Sequence, residues 1–324
     1  MHPTPSFDLR GKRVWVAGHK GLVGSAIARR LKTENCEVLC VDRSEVDLRR
    51  QAEVEGWMER QRPDVIFMAA AKVGGILAND TQPGQFLYDN LAIQTNILES
   101  ARKIGVAKVL TLGSACIYPR LAERPIREEA LLSGPLEPTN QWYAISKIAA
   151  IKLTQAYRRE YGCDFIAAMP TNLYGPGDNF DPKGSHVLPA LIRKADHAKH
   201  TGAASFTIWG DGSSRREFLH ADDCADALVF LMQHYSGEDH VNVGSGEDIS
   251  ILDLACVVAR AVGFAGEVLT DPSRPGGAPA RLMSTEKLDA LGWRRRIDLA
   301  EGVADTYRWY LENRAVLRSG VSAD

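Results

Sequence analysis

Arg13-Val-Trp-Val-Ala17 runs directly into Gly18-His-Lys-Gly21-Leu-Val-Gly24, and Leu22 to Leu31 then carries apolar residues at helical spacing. A strand, a glycine turn and a helix follow one another without interruption. In that setting the spacing GxxGxxG permits a tight turn, lets a pyrophosphate approach the backbone and lets the helix pack on the strand. The helix N-terminus adds oriented N–H groups for an anion. Gly18, Gly21 and Gly24 are therefore expected to cradle a dinucleotide.

Outward from this unit the alternation continues. Glu37 to Val41 reads as a second strand, Gln51 to Gln61 as a helix, Asp64 to Ala70 as a third strand, Phe86 to Ile104 as a long helix and Lys108 to Leu112 as a fourth strand. Past a proline-rich loop, Tyr143 to Tyr161 has helical periodicity, and Asp164 to Met169 reads as a strand ending before Pro170. Strands alternating with helices build a parallel sheet covered on both faces. The expected fold class is α/β, a Rossmann-type doubly wound parallel sheet over residues 1–170, with some later segments returning to it. Beyond it come long loops rich in Gly, Pro and Asn, with helices expected near His186 to His197, Ala221 to Gln233, Ile251 to Val262 and Asp298 to Asn313. Residues 171–324 are expected to form mainly a smaller, mixed α/β substrate-binding domain. No repeat, low-complexity tract or flexible linker sets the two apart.

With 324 residues, 45% hydrophobic and 25% charged, the chain can bury a large core. Lys and Arg number 39 against 41 acidic residues, a formal charge of −2, so no global field favours nucleic acid or an anionic membrane. Any anion site must be local. Met1 to Phe7 lacks the basic start and apolar run of a secretory signal, and no stretch approaches bilayer-spanning length; a cytoplasmic protein is expected. The six cysteines (Cys36, Cys40, Cys116, Cys163, Cys224, Cys256) show no paired metal-ligand spacing, so no metal is expected and reduced core thiols are the ordinary reading for all but Cys116.

Cofactor choice is read at Val41-Asp42-Arg43, about 20 residues after the glycine turn. Asp42 suits the ribose hydroxyls of NAD, whereas Arg43, with Lys20 in the turn, suits the 2′-phosphate of NADP. Two cations favour NADP(H). Downstream, Tyr143-Ala-Ile-Ser-Lys147 puts a phenol and an ammonium on one helix face. A phenol with a pKa of about 10 exchanges protons poorly at neutral pH unless a neighbouring ammonium stabilises phenolate, and Lys147 is placed to do so. Gly113-Ser-Ala-Cys-Ile-Tyr118 follows the fourth strand at the carboxyl edge, where Ser114 can hydrogen-bond a substrate carbonyl. Ser114, Tyr143 and Lys147 together suit hydride transfer at a carbon bearing oxygen, the tyrosine handling that oxygen's proton.

This constellation resembles the extended short-chain dehydrogenase/reductases. The blocks Gly113 to Tyr118, Leu136-Glu-Pro-Thr-Asn140, Met169-Pro-Thr-Asn-Leu-Tyr-Gly-Pro-Gly-Asp-Asn179 and Ala71-Lys-Val-Gly-Gly-Ile76 narrow the resemblance to the GDP-L-fucose synthases, from Val14 to about Trp309. The resemblance implies epimerisation of GDP-4-keto-6-deoxy-D-mannose at C3 and C5, then reduction at C4 by NADPH, in one site. It assigns Ser114, Tyr143 and Lys147 to reduction, and Cys116 with His186 of Gly184-Ser-His-Val-Leu-Pro189 to epimerisation. The 4-keto group acidifies both neighbouring C–H bonds, so a base on one face and an acid on the other can invert each centre.

The same resemblance extends the cofactor contacts to Leu22, Val23, Asp47, Leu48, Leu112, Gly113, Ser114, Lys147, Pro170, Asn172, Leu173 and His186. For the GDP-sugar it points to Lys194, Trp209, Arg216 and Arg281, and a diphosphate suits arginine's planar fork. It also implies a homodimer joined through the helices Phe86 to Ile104 and Tyr143 to Tyr161.

Some positions depart from the family pattern. Asp42 stands where relatives usually carry a small polar residue, Ala115 replaces a common serine, and Ala280-Arg281-Leu-Met-Ser284 lacks a more basic, aspartate-ending version. A related GDP-keto-sugar, dideoxy or heptose, therefore stays open. A 4-epimerase or 4,6-dehydratase is disfavoured by Ser114-Ala-Cys116, where dehydratases usually carry Thr-Asp-Glu. The reading from a different class is a non-catalytic nucleotide-binding protein, against which Tyr143 and Lys147 stand intact.

Overall fold

Each apolar run of the first half is a strand because it is covered on both faces. The computed structural model describes residues 6–181, 184–274 and 281–318. The chain runs β1 (Arg13–Ala17), α1 (Leu22–Leu31), β2 (Glu37–Leu39), α2 (Gln51–Gln61), β3 (Val65–Met68), α3 (Ile76–Thr81), α4 (Pro83–Ile104), β4 (Lys108–Leu112), α5 (Gln141–Tyr161) and β5 (Phe165–Pro170). It continues through β6 (Asn172–Tyr174), α6 (Val187–Thr201), β7 (Ser205–Trp209), β8 (Arg215–His220), α7 (Ala221–His234) and β9 (Val241–Val243). Last come β10 (Asp248–Ser250), α8 (Ile251–Val262), β11 (Glu267–Asp271), α9 (Glu286–Leu291) and α10 (Leu299–Arg318). Met1 to Pro5 and Ala280, both used in reading the sequence, lie outside the described residues.

The large sheet has the order β2-β1-β3-β4-β5-β9, and every pairing in it is parallel. Every residue of β3, β4 and β5 is buried, as strands between two helical layers must be. The chain leaves β1 for β2 on one side and returns to β3 on the other, so the carboxyl ends of β1 and β3 form a switch point where such sheets bind ligands. On one face α1 and α7 share a core that includes Val14, Ile27, Leu31, Leu110 and Leu228. On the other, Trp15, Val54, Trp57, Ile97 and Leu98 join α2 and α4 to the sheet. Each fully buried leucine or isoleucine here stabilises the fold by about 1.5–3 kcal/mol relative to exposure.

The second half forms two small sheets, β10-β8-β6 and β11-β7, packed with α6, α8 and α10 around Leu191, Phe206, Phe218, Val258 and Tyr307. α7 and β9, although late in the chain, belong to the large sheet's layers. Helix α4 begins at Pro83 rather than Phe86, because proline at the first helical turn has the required φ and lacks an N–H that would be unpaired there. No helix of the described residues is long and apolar enough to cross a membrane.

Candidate active site

The glycine turn closes at the carboxyl end of β1, where the Gly21 N–H donates to the Gly18 carbonyl at 3.1 Å. Gly18 is left-handed at φ +87°, and a Cβ there would lie 2.7 Å from the Ala70 backbone. At Gly24 a Cβ would fall 2.0 Å from the Gly18 carbonyl oxygen, so neither position admits a side chain. No side chain caps α1 and no acid sits in its first turn, which leaves the positive end of the helix dipole for an anion. These features fit a dinucleotide pyrophosphate. Leu22 and Val23 are half-buried against the core beneath.

At the end of β2 the Asp42 carboxylate lies 3.1 Å from the Lys20 ammonium and 3.3 Å from the His19 ring. The sequence suggested Lys20 and Arg43 as partners for a phosphate; in the fold Lys20 is ion-paired to Asp42, while Arg43 is exposed. Asp47 is gripped by Arg49 at 2.6 Å, whose guanidinium holds its carboxyl at about 2. The Leu48 carbonyl accepts from the Asn96 amide at 3.0 Å. Pro170 is buried at the end of β5, Asn172 donates to the Glu217 carbonyl at 2.8 Å, and Leu173 packs on the main core.

Beyond Leu112, the Gly113 N–H donates to the Ala168 carbonyl at 2.9 Å and the chain enters a 3-10 turn, Ala115–Ile117. The turn sets the Ser114 hydroxyl near Cys116, where it acts to lower the pKa of the thiol. Tyr118 anchors its far end: the buried hydroxyl donates to Asn242 Oδ1 at 2.5 Å and lies 2.9 Å from His240 Nε2. From α5, Lys147 Nζ donates to the Leu112 carbonyl at 2.9 Å and stands 5.7 Å from the centroid of the Tyr143 ring. Phe86 meets that ring edge-on at 6.5 Å.

Burial brings the Lys147 ammonium down to about 8, opposed by the charge on Cys116. Burial pushes the Tyr143 phenol up, and Cys116 adds to this. The Cys116 thiol is also pushed up by burial, opposed by the Ser114 hydroxyl and then by the charges of Arg281 and Lys147. The expected depression of the phenol by Lys147 is therefore not found. Burial and Cys116 raise it instead, and the phenol is protonated at neutral pH, the form that can donate to a developing alkoxide.

Arg281 reaches the same turn, donating from Nη1 to the Ala115 carbonyl at 2.7 Å. Its backbone forms an isolated bridge with Arg216, and burial lowers the pKa of both guanidiniums, with Arg281 lowering Arg216 further. Two part-buried guanidiniums side by side fit a diphosphate. Lys194 donates to the Thr207 carbonyl at 2.9 Å and lies 5.7 Å from the ring of the exposed Trp209, with Arg274 at 5.3 Å from the same ring. His186 comes from a different element, as the N-cap of α6; its ring is exposed, yet the protein around it lowers its pKa.

The fold thus joins Ser114, Cys116, Tyr143, Lys147 and Arg281 in one cluster and leaves His186 outside its hydrogen bonds among the described residues. Two contributors escaped the sequence. Arg274 reaches Trp209 only because β11 pairs with β7 in the register Asp271↔Trp209. Asn90 is buried and bonds both the N–H and the carbonyl of Lys72, which ties the Ala71–Ile76 loop to α4. Its one signal was an asparagine four residues from Phe86 on the helix face that Ile97 and Ala101 continue.

A glycine cradle beside a serine, a tyrosine and a lysine at the carboxyl edge of a parallel sheet defines a nicotinamide-dependent oxidoreductase of the epimerase and dehydratase class. The NAD dependent epimerase/dehydratase family matches residues 14–244. A GDP-L-fucose synthase of Sinorhizobium fredii is 56% identical over 309 residues, spanning 95% of this chain and 98% of that protein. The chain belongs to the GDP-L-fucose synthase family. Among solved structures, a GDP-L-fucose synthetase from Naegleria fowleri bound to NADP matches with a TM-score of 0.88 at 29% identity, covering 96% of this chain and 98% of that one. A GDP-6-OMe-4-keto-L-xylo-heptose reductase from C. jejuni matches with a TM-score of 0.87 at 34% identity, covering 94% of this chain and 98% of the other.

Proposed function

We propose that this protein converts GDP-4-keto-6-deoxy-D-mannose to GDP-L-fucose, epimerising C3 and C5 and reducing C4 with NADPH. The observation that carries the reading is a thiol beside a reductase pair: Cys116 interacts electrostatically with both Tyr143 and Lys147, in a turn that Arg281 also holds. The 56% identity to a fucose synthase, against 34% to the heptose reductase, supports the fucose substrate over a heptose or dideoxy relative.

Bound NADPH supplies the hydride. Arg216 and Arg281 hold the diphosphate, with Trp209 and Lys194 along the rest of the nucleotide sugar. Ser114 donates to the C4 carbonyl oxygen, which acidifies the C–H bonds at C3 and C5. Cys116 takes the proton from one face and His186 returns one to the other. The Ser114 hydroxyl and the Arg281 and Lys147 charges oppose, in part, the burial that keeps the thiol protonated. Tyr143 then gives its proton to O4, and the Lys147 ammonium steadies the phenolate left behind. The cofactor cradle is Gly18 to Gly24 with Lys20, and Arg43 faces the 2′-phosphate. Incubation of the purified protein with freshly made GDP-4-keto-6-deoxy-D-mannose and NADPH should yield GDP-L-fucose by NMR. Turnover of a dideoxy or heptose ketone alone would move the substrate elsewhere.

We further infer a cofactor domain over 1–170, to which α7 and β9 return, and a substrate domain over most of 171–324. The protein is read as a cytoplasmic homodimer joined through α4 and α5, without nucleic acid or membrane partners. Exposed Tyr88, Trp142, Ile145 and Tyr161 on those helices support the interface. Light scattering that gave a monomer at micromolar concentration would rule the dimer out.

A further inference from the structure

A carboxylate in a dry interior is tolerated only when its oxygens are bonded. Glu217, next to Arg216 on β8, is fully buried, and five donors converge on it, the Ser245 hydroxyl at 3.5 Å being the most distant. Oε1 accepts the backbone N–H groups of Ser245 at 2.7 Å and Gly246 at 2.9 Å. Oε2 accepts the Met283 backbone N–H and the Thr171 hydroxyl, each at 3.0 Å. The packing is close enough that a Cβ on Gly244 would fall 2.2 Å from Oε1. Burial pushes this carboxyl's pKa up, and the same donors oppose it.

These donors come from three segments: the loop after β9, the stretch leading to α9, and the junction of β5, which pairs with β9, and β6, which pairs with β8. Each ends near the site. Met283 is two residues from Arg281, whose backbone bridges Arg216 and whose guanidinium bonds the turn of Cys116. Thr171 precedes Asn172, which donates to the Glu217 carbonyl at 2.8 Å.

We propose that Glu217 is the positioning residue that sets the spacing of Arg216 and Arg281, so that its carboxylate governs affinity for the diphosphate of a nucleotide sugar without touching it. The inference rests on reading those arginines as the diphosphate clamp. Glu217→Gln keeps the shape but turns an NH₂ group toward N–H donors, which frees the Met283 or the Ser245 segment.

The test is calorimetry on the full-length protein with GDP alone, and with NADP⁺ in a parallel arm. Glu217→Gln should weaken GDP by about tenfold or more. The KM for the GDP-sugar should rise with it, kcat should fall less, and NADP⁺ affinity should fall less than GDP affinity, because the glycine turn lies on other elements and only Pro170, Asn172 and Leu173 adjoin the Glu217 bonds. A variant that keeps wild-type affinity for both ligands overturns the proposal. If Glu217→Gln fails to fold, Thr171→Val, which deletes one donor and leaves the backbone donors in place, decides: a GDP site weakened more than NADP⁺ binding supports the proposal, and an unchanged GDP site, or equal losses for both ligands, overturns it. Wild-type protein that binds NADP⁺ but not GDP would instead bring down the nucleotide-sugar reading, and this inference with it.

Discussion

On its cofactor wall the site is made of strand ends: β1, β4 and β5 stop in one sheet and deliver Gly18, Ser114 and Pro170 through a continuous ladder of backbone hydrogen bonds. On its proposed substrate wall the strands belong to two separate small sheets, and no single ladder spans the site. Arg216 and Arg281 meet through one isolated bridge, Trp209 is held between Lys194 and Arg274, and a single carboxylate gathers three loops. A cooperative sheet keeps its geometry when one side chain changes, whereas a wall built from a few side-chain bonds changes shape with each of them. Chemistry should therefore fail sharply and locally on the first wall, and affinity should drift on the second.

The sharpest break is expected at Tyr143. Tyr143→Phe removes the proton donor for O4, so NADPH consumption should fall by roughly 10²–10⁴-fold. Exchange of the C3 and C5 protons with solvent deuterium, read by mass spectrometry, should persist. Loss of both together would mean that the two chemistries are not separable. Cys116→Ser comes next: replacing the thiol by a far less acidic hydroxyl should cut that exchange by roughly 10²-fold, while hydride transfer to the unepimerised ketone continues and gives a product of the wrong stereochemistry. Normal exchange would reduce Cys116 to a packing residue.

A smaller effect follows pH. The Lys147 ammonium titrates at about 8, and its charged form is the one that steadies the phenolate. Reduction should thus be full below that value and decline as pH rises through it. In Lys147→Arg, which keeps its charge, the decline should vanish from the profile of whatever activity remains. A decline of identical midpoint in both proteins would assign it to another group. The smallest effects concern cofactor preference. Arg43→Ala should raise the KM for NADPH by about tenfold and spare NADH, since only NADPH carries the 2′-phosphate. Asp42→Asn, by relieving Lys20 of its ion pair, should lower the NADPH KM a few-fold. Equal shifts for both cofactors would remove Arg43 and Asp42 from the phosphate site.

The same two walls differ in how far the amino-acid sequence discloses them. β1, α2, β4 and α8 occupy the residues that periodicity and turn chemistry indicate, and the glycine turn, Ser114 and the Tyr143–Lys147 spacing were readable because each is set by neighbours within one turn or strand. The strands β6 to β11 were not. β10 has three residues and β8 opens on Arg215 and Arg216, so neither shows an apolar pattern; they exist because partners elsewhere in the chain complete them. Side-chain direction was equally hidden. Nothing in Val41-Asp42-Arg43 tells that Asp42 turns to Lys20, and nothing in the spacing of Tyr143 and Lys147 tells that burial raises the phenol.

The late return of α7 and β9 to the large sheet constrains how this chain is born. Until Val243 has left the ribosome the outer edge of β5 has no neighbour, and until α7 has left it α1 has the sheet beneath Ile27 and Leu31 but not its helix partner. The N–H groups of Ser6 and Phe7 both wait for the Gln233 carbonyl, at 3.0 Å in the finished fold. A nascent chain of 170 residues would thus display an open strand edge beside a helix without its partner, the combination that invites pairing with another copy. Closing contacts over such separations is slow, because the loop entropy is lost before any contact rewards it. The first 170 residues alone therefore lack two of the elements that complete the layers of the large sheet.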